Sequence, residues 1–387
     1  MTIAGLTMRT GLALAFIAML GISMLGAPSA RAEDKLLAEA VDFAGTFIYL
    51  GAKPPGLIIG VIHNGETVVR GFGEIADGSG KEPDGDTLMR IGSITKVFCG
   101  AALASMVADG KVGFADTLQD RLGWDVKIPE RDGKSIRLID LVTHASGLPR
   151  EAEVKAAGDS PTLMGSKADY IASLTPDALL FPPGTGILYS NFGFDLLAQA
   201  LANAAGKPYA DLLKERVLDP AGLKDTRFDL TDADKVRTMR GHNFDGSQLP
   251  LLDTAPIIQG AGGLYSTAND ILRWLRWHLD RFAVKDAEMR LLDHAIYLPR
   301  DGLSPVFGLD ETGGMDAMGL GWVVQNADGN MPLIFNKTGG LQGQFSYVAF
   351  APSRGIGVFV SINAFSVAGF DAMAKATNEL IAELAPR

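Results

Sequence analysis

The stretch "RIGSITKVF", residues 90–98, decides how the fold of this chain is interpreted. It holds Ser93 and Lys96, which are three residues apart and share one face if the stretch is helical. The residues that follow are rich in Ala, Leu and Met, and Gly110 is placed to end a helix. The stretch therefore predicts a helix start that carries a serine beside a lysine. That pairing is common by chance, so it needs support from elsewhere in the chain.

Two further short motifs each occur once. The sequence "YSN" (residues 189–191) has the pattern Y-x-N and follows a Pro-Gly loop, and "KTG" (residues 337–339) lies on a predicted late strand. Each motif is weak by itself, because tripeptides recur by chance. Their joint occurrence with S-x-x-K is more specific, since the three lie at a helix start, after a loop and on a strand.

Together the motifs contain the parts of an acyl-transfer site with a serine nucleophile. The Ser93 hydroxyl needs a base, and Lys96 serves if burial and a neighbouring cation such as Lys337 lower its pKa. Tyr189 relays a proton between Ser93, Lys96 and a leaving amine if the two lysines lower its own pKa. The predicted catalytic residues are therefore Ser93, Lys96 and Tyr189.

The K-T-G region suits a substrate that lies along a strand edge. Gly339 and Gly340 allow a substrate to approach the backbone, and Lys337 and Thr338 are suited to binding a substrate carboxylate. Backbone N–H groups at the start of the predicted helix are natural donors to an oxyanion.

Strand patterns near both ends of the chain predict one antiparallel sheet. Residues 56–75 form two predicted strands around Asn64-Gly65, and residues 344–363 form two more, while residues 35–50 and 368–385 are helix-like. The predicted fold class is α/β plus all-α: an antiparallel β-sheet flanked by N- and C-terminal helices, with an inserted helical lobe. The expected lobes are residues 33–92 plus 256–387 for the α/β sheet lobe and 93–255 for the mainly helical lobe.

The N-terminus has the pattern of a secretory signal peptide. Arg9 precedes an apolar run over residues 11–26, and Ala30-Arg31-Ala32 forms a small-x-small cleavage site. We expect residues 1–32 to be removed after Ala32 and the protein to be exported, in a periplasmic setting. An uncleaved membrane anchor is the alternative, and membrane contact is expected only in that case.

The 387-residue chain has a net charge of −10, which argues against nucleic acid as a partner. Its single cysteine, Cys99, excludes an internal disulfide and is expected to be a buried small hydrophobe. The five histidines show no metal-ligand spacing and no dinucleotide fingerprint is present, so neither a metal nor a cofactor is expected. His144 precedes a turn, lacks a G-x-S-x-G partner motif, and is interpreted as a structural hydrogen-bonding residue.

The motif set resembles the serine penicillin-recognising family, which comprises class C β-lactamases, DD-peptidases and related esterases. The resemblance covers roughly residues 45–385 and includes the blocks "HASGLP" (144–149), "PPGTGILYSN" (182–191), "GAGGLYSTANDI" (260–271) and "NKTGG" (336–340). It implies a β-lactamase/transpeptidase-like fold with the site between two lobes.

The resemblance also implies a role for each matching residue. Ser93 would be acylated, Lys96 would be its base and Tyr189 the second acid/base. On the substrate side, the resemblance implies an amide contact at Asn191, a carboxylate site at Lys337, Thr338 and Gly339, and an oxyanion hole from the amides of Ser93 and Gly340.

Three activities fit such a site, with peptidoglycan peptides or β-lactams as partners. The first is a DD-carboxypeptidase/endopeptidase of the AmpH type, which "THASGLPRE" and "YSNFGFDLLAQAL" resemble. The second is a class C-like β-lactamase, although Glu151 stands where those enzymes have Gln. The third is a carboxylesterase, which the retained Lys337 disfavours. A penicillin-binding sensor that acylates without turnover is the non-enzymatic alternative.

Overall fold

The computed structural model describes residues 34–154, 162–163, 165–280 and 282–387. The predicted signal peptide and its cleavage position after Ala32 lie outside these residues. Within the described ranges, every helix is too short or too polar to cross a bilayer.

The centre of the structure is an eight-stranded sheet whose paired strands are all antiparallel. Both ends of the chain contribute to it, as the sequence predicts. With strands numbered along the chain, its spatial order is β10 (Leu298–Pro299), β12 (Ala317–Met318), β13 (Val323–Gln325), β14 (Ile334–Leu341), β15 (Gln344–Ala351), β16 (Ile356–Ile362), β1 (Gly56–His63) and β2 (Glu66–Gly73).

The predicted hairpin around Asn64 and Gly65 joins β1 to β2. Both residues have positive φ, 50° and 86°, as a two-residue type I′ turn requires. On its other side β1 pairs with β16, with Ile59 opposite Val360. This pairing places the first strands of the chain beside its last strand, so that both ends of the chain form one sheet.

The two faces of the sheet are covered by different helices. The terminal helices α1 (Lys35–Ala52) and α11 (Val367–Leu384) cover one face, where Ile59 is buried, and α9 (Ala268–Leu279) covers the face where Ile58 is buried. Because β1 is covered on both sides, its sequence is a continuous apolar run rather than an alternating one.

The residues between the first and last strands form helices, long loops and very short strands. In residues 93–255 the strands are two residues long each, and the predicted lobe boundaries stay a prediction. Among the described residues, the other α-helices are α2 (Thr95–Ala108), α3 (Leu118–Leu122), α4 (Leu138–Val142), α5 (Lys167–Ser173), α6 (Asn191–Ala205), α7 (Tyr209–Leu213), α8 (Asp232–Lys235) and α10 (Ala287–Asp293), and the other strands are β3 (Leu88–Arg90), β4 (Glu130–Arg131), β5 (Lys134–Ser135), β6 (Thr162–Leu163), β7 (Ile187–Leu188), β8 (Asp253–Thr254), β9 (Tyr265–Thr267) and β11 (Val306–Phe307).

One close backbone contact places strand β14 against the start of α2. A Cβ added at Gly92, whose φ is 50°, would lie 2.6 Å from the Gly340 nitrogen, and one added at Gly339 would lie 2.0 Å from the Ile91 oxygen. Side chains at either position would push the two segments apart. The glycines therefore allow the K-T-G strand to lie directly beside the turn that carries Ser93.

Candidate active site

Ser93 and Lys96 lie where the sequence predicts, at the start of a helix. A 3₁₀ turn over Gly92–Ile94 leads directly into α2, and this turn carries Ser93. The Lys96 side chain is fully buried, and its Nζ lies 3.2 Å from Ser93 Oγ. The same helix buries Cys99, as expected, and burial raises the pKa of its thiol to about 12.

The Lys96 ammonium nitrogen has two further close partners, and both are acceptors. Its Nζ donates to Asn191 Oδ1 at 2.6 Å and to the Ala261 carbonyl oxygen at 2.7 Å. Asn191 is the first residue of α6, and its Nδ2 donates to Glu151 Oε1 at 2.5 Å. Because a carboxylate only accepts hydrogen bonds, Glu151 fixes the Asn191 amide with its oxygen toward Lys96.

Two buried lysines in this region have lowered pKa values. Burial lowers the pKa of Lys96 well below its ordinary value, and the positive charge of Lys337 lowers it further, while Asp195 and Glu151 oppose the shift. Burial also lowers the pKa of Lys337, to about 8, against the opposing charge of Glu311. The predicted cause of the Lys96 shift, burial plus Lys337, is therefore confirmed.

Tyr189 has three basic side chains around its ring. Ser93 is also near enough to lower the pKa of its phenol. The centre of its ring lies 4.9 Å from Lys96 Nζ, 5.0 Å from Lys337 Nζ and 4.7 Å from Arg150 Cζ. These cations face the electron-rich ring, which is a favourable cation–π arrangement.

The expectation that the two lysines lower the pKa of Tyr189 is wrong. Burial of the side chain raises this pKa above its ordinary value, and the negative charges of Glu311 and Glu151 raise it further, against the opposing effects of Ser93 and of the Arg150 charge. A buried phenolate loses its hydration, and the lysine ammonium groups lie near the ring rather than forming hydrogen bonds to the phenol oxygen. At neutral pH Tyr189 is therefore a phenol.

His144 packs against the ring of Tyr189. The two rings stack with centres 4.5 Å apart, and His144 Nδ1 accepts a hydrogen bond from the Ser190 backbone N–H at 2.9 Å. Burial and the nearby Lys96 and Lys337 hold the pKa of His144 well below its ordinary value. The predicted hydrogen bonding of His144 is confirmed, and its structural role stays a prediction.

On strand β14, Thr338 contacts a residue that the sequence did not suggest. Its Oγ1 donates a 2.8 Å hydrogen bond to Oε2 of Glu311, an exposed residue on the segment between β11 and β12. No motif surrounds Glu311, and 27 residues separate it from Thr338, so only the folded chain reveals the contact.

A pocket of about 300 Å³ opens beside Ser93 and contains several of the predicted residues. Its lining combines the 92–93 turn, the start of α6 and strand β14, so that Ser93, Asn191 and Gly340 face one space. Lys337, Thr338 and Gly339 are not part of this lining and directly precede Gly340 on the same strand. The other polar side chains that line the pocket are those of Glu151, Tyr170 and Asp195.

Asp195 is a buried carboxyl group that the sequence analysis missed. It accepts hydrogen bonds from Tyr170 Oη at 2.6 Å and from the Ala261 N–H at 2.8 Å, and burial raises its pKa to about 7. Ala261 in turn accepts from Lys96, so Asp195 orients one of the two acceptors of the lysine. Its spacing of four residues from Asn191 on α6 is a signal that would have placed it on the same helix face.

A second buried polar cluster contains the residue types that bind metals. His278, Asp293 and His294 offer ligand atoms within 4.8 Å of one another. His278 Nδ1 lies 2.7 Å from His294 Nε2, which is a direct hydrogen bond and shorter than the roughly 3.3 Å expected between two nitrogens on one zinc ion. Trp322 Nε1 donates to Asp293 at 3.2 Å. The geometry is that of a hydrogen-bonded network.

Comparison with known families and sequences gives a consistent result. The family model described as Beta-lactamase matches residues 34–383. The D-alanyl-D-alanine-carboxypeptidase/endopeptidase AmpH of Escherichia coli K12 is 33% identical over 353 residues, which cover 91% of this chain and 90% of that protein. A β-lactamase of Pseudomonas fluorescens is 25% identical over 80% of this chain and 88% of its own.

Solved structures show the same fold. A β-lactamase/D-alanine carboxypeptidase from Yersinia pestis, complexed with citrate, is 34% identical and superimposes with a TM-score of 0.82 over 90% of this chain and 99% of its own. A class C β-lactamase from Rhodobacter sphaeroides, 22% identical, has a TM-score of 0.71 over 89% of this chain and 99% of its own. The predicted β-lactamase/transpeptidase-like fold, with a large antiparallel sheet and flanking helices, is confirmed.

Proposed function

The chain belongs to the β-lactamase family of serine hydrolases, and from that membership we propose that it is a DD-carboxypeptidase/endopeptidase of cell-wall peptides that works through a Ser93 acyl-enzyme. The observation that carries the proposal is the set of partners around Lys96. Its nitrogen lies 3.2 Å from Ser93 Oγ and is otherwise bonded to two oxygens that only accept.

These partners orient the neutral form of the lysine. A neutral amine has two N–H bonds and one lone pair. With its two N–H groups donated to Asn191 Oδ1 and the Ala261 carbonyl, the lone pair faces Ser93 Oγ. Burial and the charge of Lys337 lower the pKa of Lys96, which favours this neutral form over the ammonium. The lysine is therefore positioned to accept the serine proton.

In the proposed acylation, Ser93 Oγ attacks the carbonyl carbon of the scissile amide and its proton moves to Lys96 Nζ. The backbone N–H groups of Ser93 and Gly340 stabilise the oxyanion. When the C–N bond breaks, Tyr189 donates its phenol proton to the leaving nitrogen. The acyl-enzyme then holds a protonated Lys96 and a Tyr189 phenolate.

Deacylation reverses these roles. A water molecule attacks the acyl carbon and its proton moves to the Tyr189 phenolate, whose raised pKa makes it a strong base. The bond to Ser93 Oγ breaks, and Lys96 returns its proton to that oxygen. Both groups regain their starting protonation states, so each cycle consumes one water molecule.

We propose the substrate preference from the residues that would bind the two parts of the substrate on either side of the scissile amide. Lys337 and Thr338 suit the terminal carboxylate of a D-Ala-D-Ala peptide, and Asn191 suits an amide of the acyl part. The AmpH relative of similar length, whose name records both activities, supports a peptidase rather than a lactamase. We also propose export by the signal peptide, so that the enzyme meets peptidoglycan outside the cytoplasm.

The proposal is tested with purified protein, a D-Ala-D-Ala pentapeptide and a cross-linked muropeptide. Released D-alanine supports the carboxypeptidase, and cleaved cross-links support the endopeptidase. Ser93→Ala is the control and should abolish both activities and the covalent labelling by a fluorescent penicillin. Activity that survives in Ser93→Ala contradicts the mechanism.

A chromogenic cephalosporin distinguishes the competing functions. Sustained rapid turnover of the cephalosporin with no cleavage of either peptide identifies a β-lactamase and overturns the peptidase proposal. One equivalent of acyl-enzyme without further release, again with no peptide cleavage, identifies a penicillin-binding sensor.

A further inference from the structure

We propose that Glu311 is an internal carboxylate that occupies the carboxylate-binding position at Thr338 and must be displaced by a substrate that ends in a carboxylate. The inference rests on the proposed function, because that function assigns Thr338 and Lys337 to the substrate carboxylate. It adds a residue that sets how strongly the site prefers a charged over a neutral substrate terminus.

The hydrogen bond of Thr338 is the first observation that supports this role. A threonine hydroxyl has one proton, and in this structure Thr338 Oγ1 donates it to Glu311 Oε2 at 2.8 Å. A substrate carboxylate can accept the same proton only after Glu311 has released it. The two carboxylates therefore compete for one donor.

Charge makes the competition stronger than a simple exchange of hydrogen bonds. The negative charge of Glu311 acts on Lys337 and on Tyr189, so it lies within the field of the reacting groups. A substrate carboxylate beside an undisplaced Glu311 would place two like charges at one site, which costs binding free energy. A neutral terminus, such as a carboxamide, meets no such repulsion.

The segment that carries Glu311 is held in place beside strand β14. The next residue, Thr312, donates through Oγ1 to Asn336 Oδ1 at 3.0 Å, and its carbonyl oxygen accepts from Gln325 Nε2 at 3.2 Å. Asn336 directly precedes Lys337, so the backbone at position 311 is fixed next to the K-T-G motif. The Glu311 residue itself is exposed, so its side chain can rotate away without disturbing this anchor.

The experiment compares two ligands that share one acyl part. These are an N-acetylated peptide that ends in D-Ala-D-Ala with a free carboxylate, and the same peptide as its C-terminal carboxamide. Binding is measured by calorimetry in a Ser93→Ala background, with and without Glu311→Gln, so that no turnover is needed. A pH of 6.5 lies below the pKa of about 8 that Lys337 has with Glu311 present, and repeating the titrations at pH 5.5 keeps the lysine protonated where the Glu311→Gln substitution lowers that pKa.

We expect Glu311→Gln to tighten binding of the carboxylate peptide about tenfold, the scale of one hydrogen bond to a charged group. Binding of the carboxamide should change less than about twofold, because no charge meets Glu311 in that complex. In the enzyme with Ser93 intact, the gain should appear as a lower KM for the carboxylate peptide and not for the carboxamide. High salt should reduce the difference, since it screens the repulsion.

Asp301→Asn is the matched control. It removes one negative charge from an exposed residue ten positions earlier in the chain, which is not bonded to Thr338. It should leave the preference between the two peptides unchanged. Thermal unfolding of each variant identifies any loss of folded protein.

Three results overturn the proposal. They are an unchanged preference in Glu311→Gln, weaker binding of the carboxylate peptide in that variant, and no binding of the carboxylate peptide to either protein. Labelling with fluorescent penicillin distinguishes failure of the proposed function from failure of the role of Glu311. If Ser93 is not labelled in the unmodified enzyme, that result counts against acyl transfer. The calorimetry still tests the role of Glu311.

Discussion

Lys96 and Lys337 are two buried lysines on different elements, and they differ in what surrounds them. Each nitrogen lies about 5 Å from the centre of the Tyr189 ring, at 4.9 and 5.0 Å respectively. Lys96, at the start of α2, is bonded to neutral oxygens and has a pKa well below its ordinary value. Lys337, on β14, has a pKa of about 8.

The difference shows that burial alone does not set the pKa values of the two lysines. Burial lowers the pKa of both, but the charge of Lys337 lowers that of Lys96 further, while Glu311 holds up that of Lys337. In the proposed mechanism, this difference favours Lys96 as the group that accepts a proton and Lys337 as the cation that binds an anion. Each of the following predictions tests the proposed role of Lys96, of Lys337 or of both.

The largest effect is expected when the proposed base is removed. Lys96→Met keeps an unbranched side chain in the buried space but has no basic nitrogen, so acylation by a fluorescent penicillin should slow about a thousandfold. Stopped-flow labelling and intact-protein mass measure the rate and extent. Lys111→Met, at an exposed lysine just beyond the same helix, is the control and should label normally.

Normal acylation in a folded Lys96→Met protein would show that another group accepts the Ser93 proton. The proposed difference in role between Lys96 as a base and Lys337 as a binding residue would then be wrong.

Removal of the second lysine should produce a smaller and more selective loss. Lys337→Met should lower kcat/KM for a D-Ala-D-Ala peptide about a hundredfold, because the carboxylate loses a charged partner. The C-terminal carboxamide should lose only about threefold. Since Lys337 lowers the pKa of Lys96, the acidic limb of the pH–rate profile should also move to higher pH.

Equal losses for the carboxylate and carboxamide peptides would contradict this role for Lys337. Lys337→Arg restores the positive charge and should recover part of the selectivity, although the larger fork of the guanidinium does not fit the same buried space.

The local sequence predicts the elements that carry these lysines well. The helix after Ser93, the hairpin at Asn64-Gly65 and the K-T-G strand follow from periodicity and turn residues, which act over a few positions. The sequence also predicts that burial and Lys337 lower the pKa of Lys96, because two lysines in one site repel each other.

What the sequence misses depends on contacts between distant segments. Glu311 and Asp195 lie outside any motif, and their partners Thr338 and Ala261 are 27 and 66 residues away. The direction of the Tyr189 shift depends on burial of its oxygen, which spacing along the chain does not reveal. Contacts between distant residues, and their effects on pKa values, therefore require knowledge of the fold. The motif residues can be identified from the sequence alone.

The pH dependence of the reaction tests both lysines at once. Acylation should rise with pH as Lys96 loses its proton, since only the neutral amine accepts the serine proton. For a carboxylate peptide, kcat/KM should fall about tenfold from pH 8 to pH 9 or above, because Lys337 loses its charge near pH 8. The carboxamide peptide should show the rise without the fall. If kcat/KM fell equally at high pH for both peptides, the fall would come from a group other than Lys337.

The smallest effect is expected at Glu151, whose charge acts on Lys96 from the rim of the pocket. Glu151→Gln retains an oxygen that accepts from Asn191 Nδ2, so the orientation of that amide should persist. The lost charge had raised the pKa of Lys96, so the variant should acylate about twofold faster on the acidic limb and slightly slower at the plateau. The effect is small because the Glu151 side chain is 60% exposed and screened by solvent. Glu153→Gln, an exposed neighbour, is the control, and a slower acidic limb in Glu151→Gln would show that the charge itself orients Asn191.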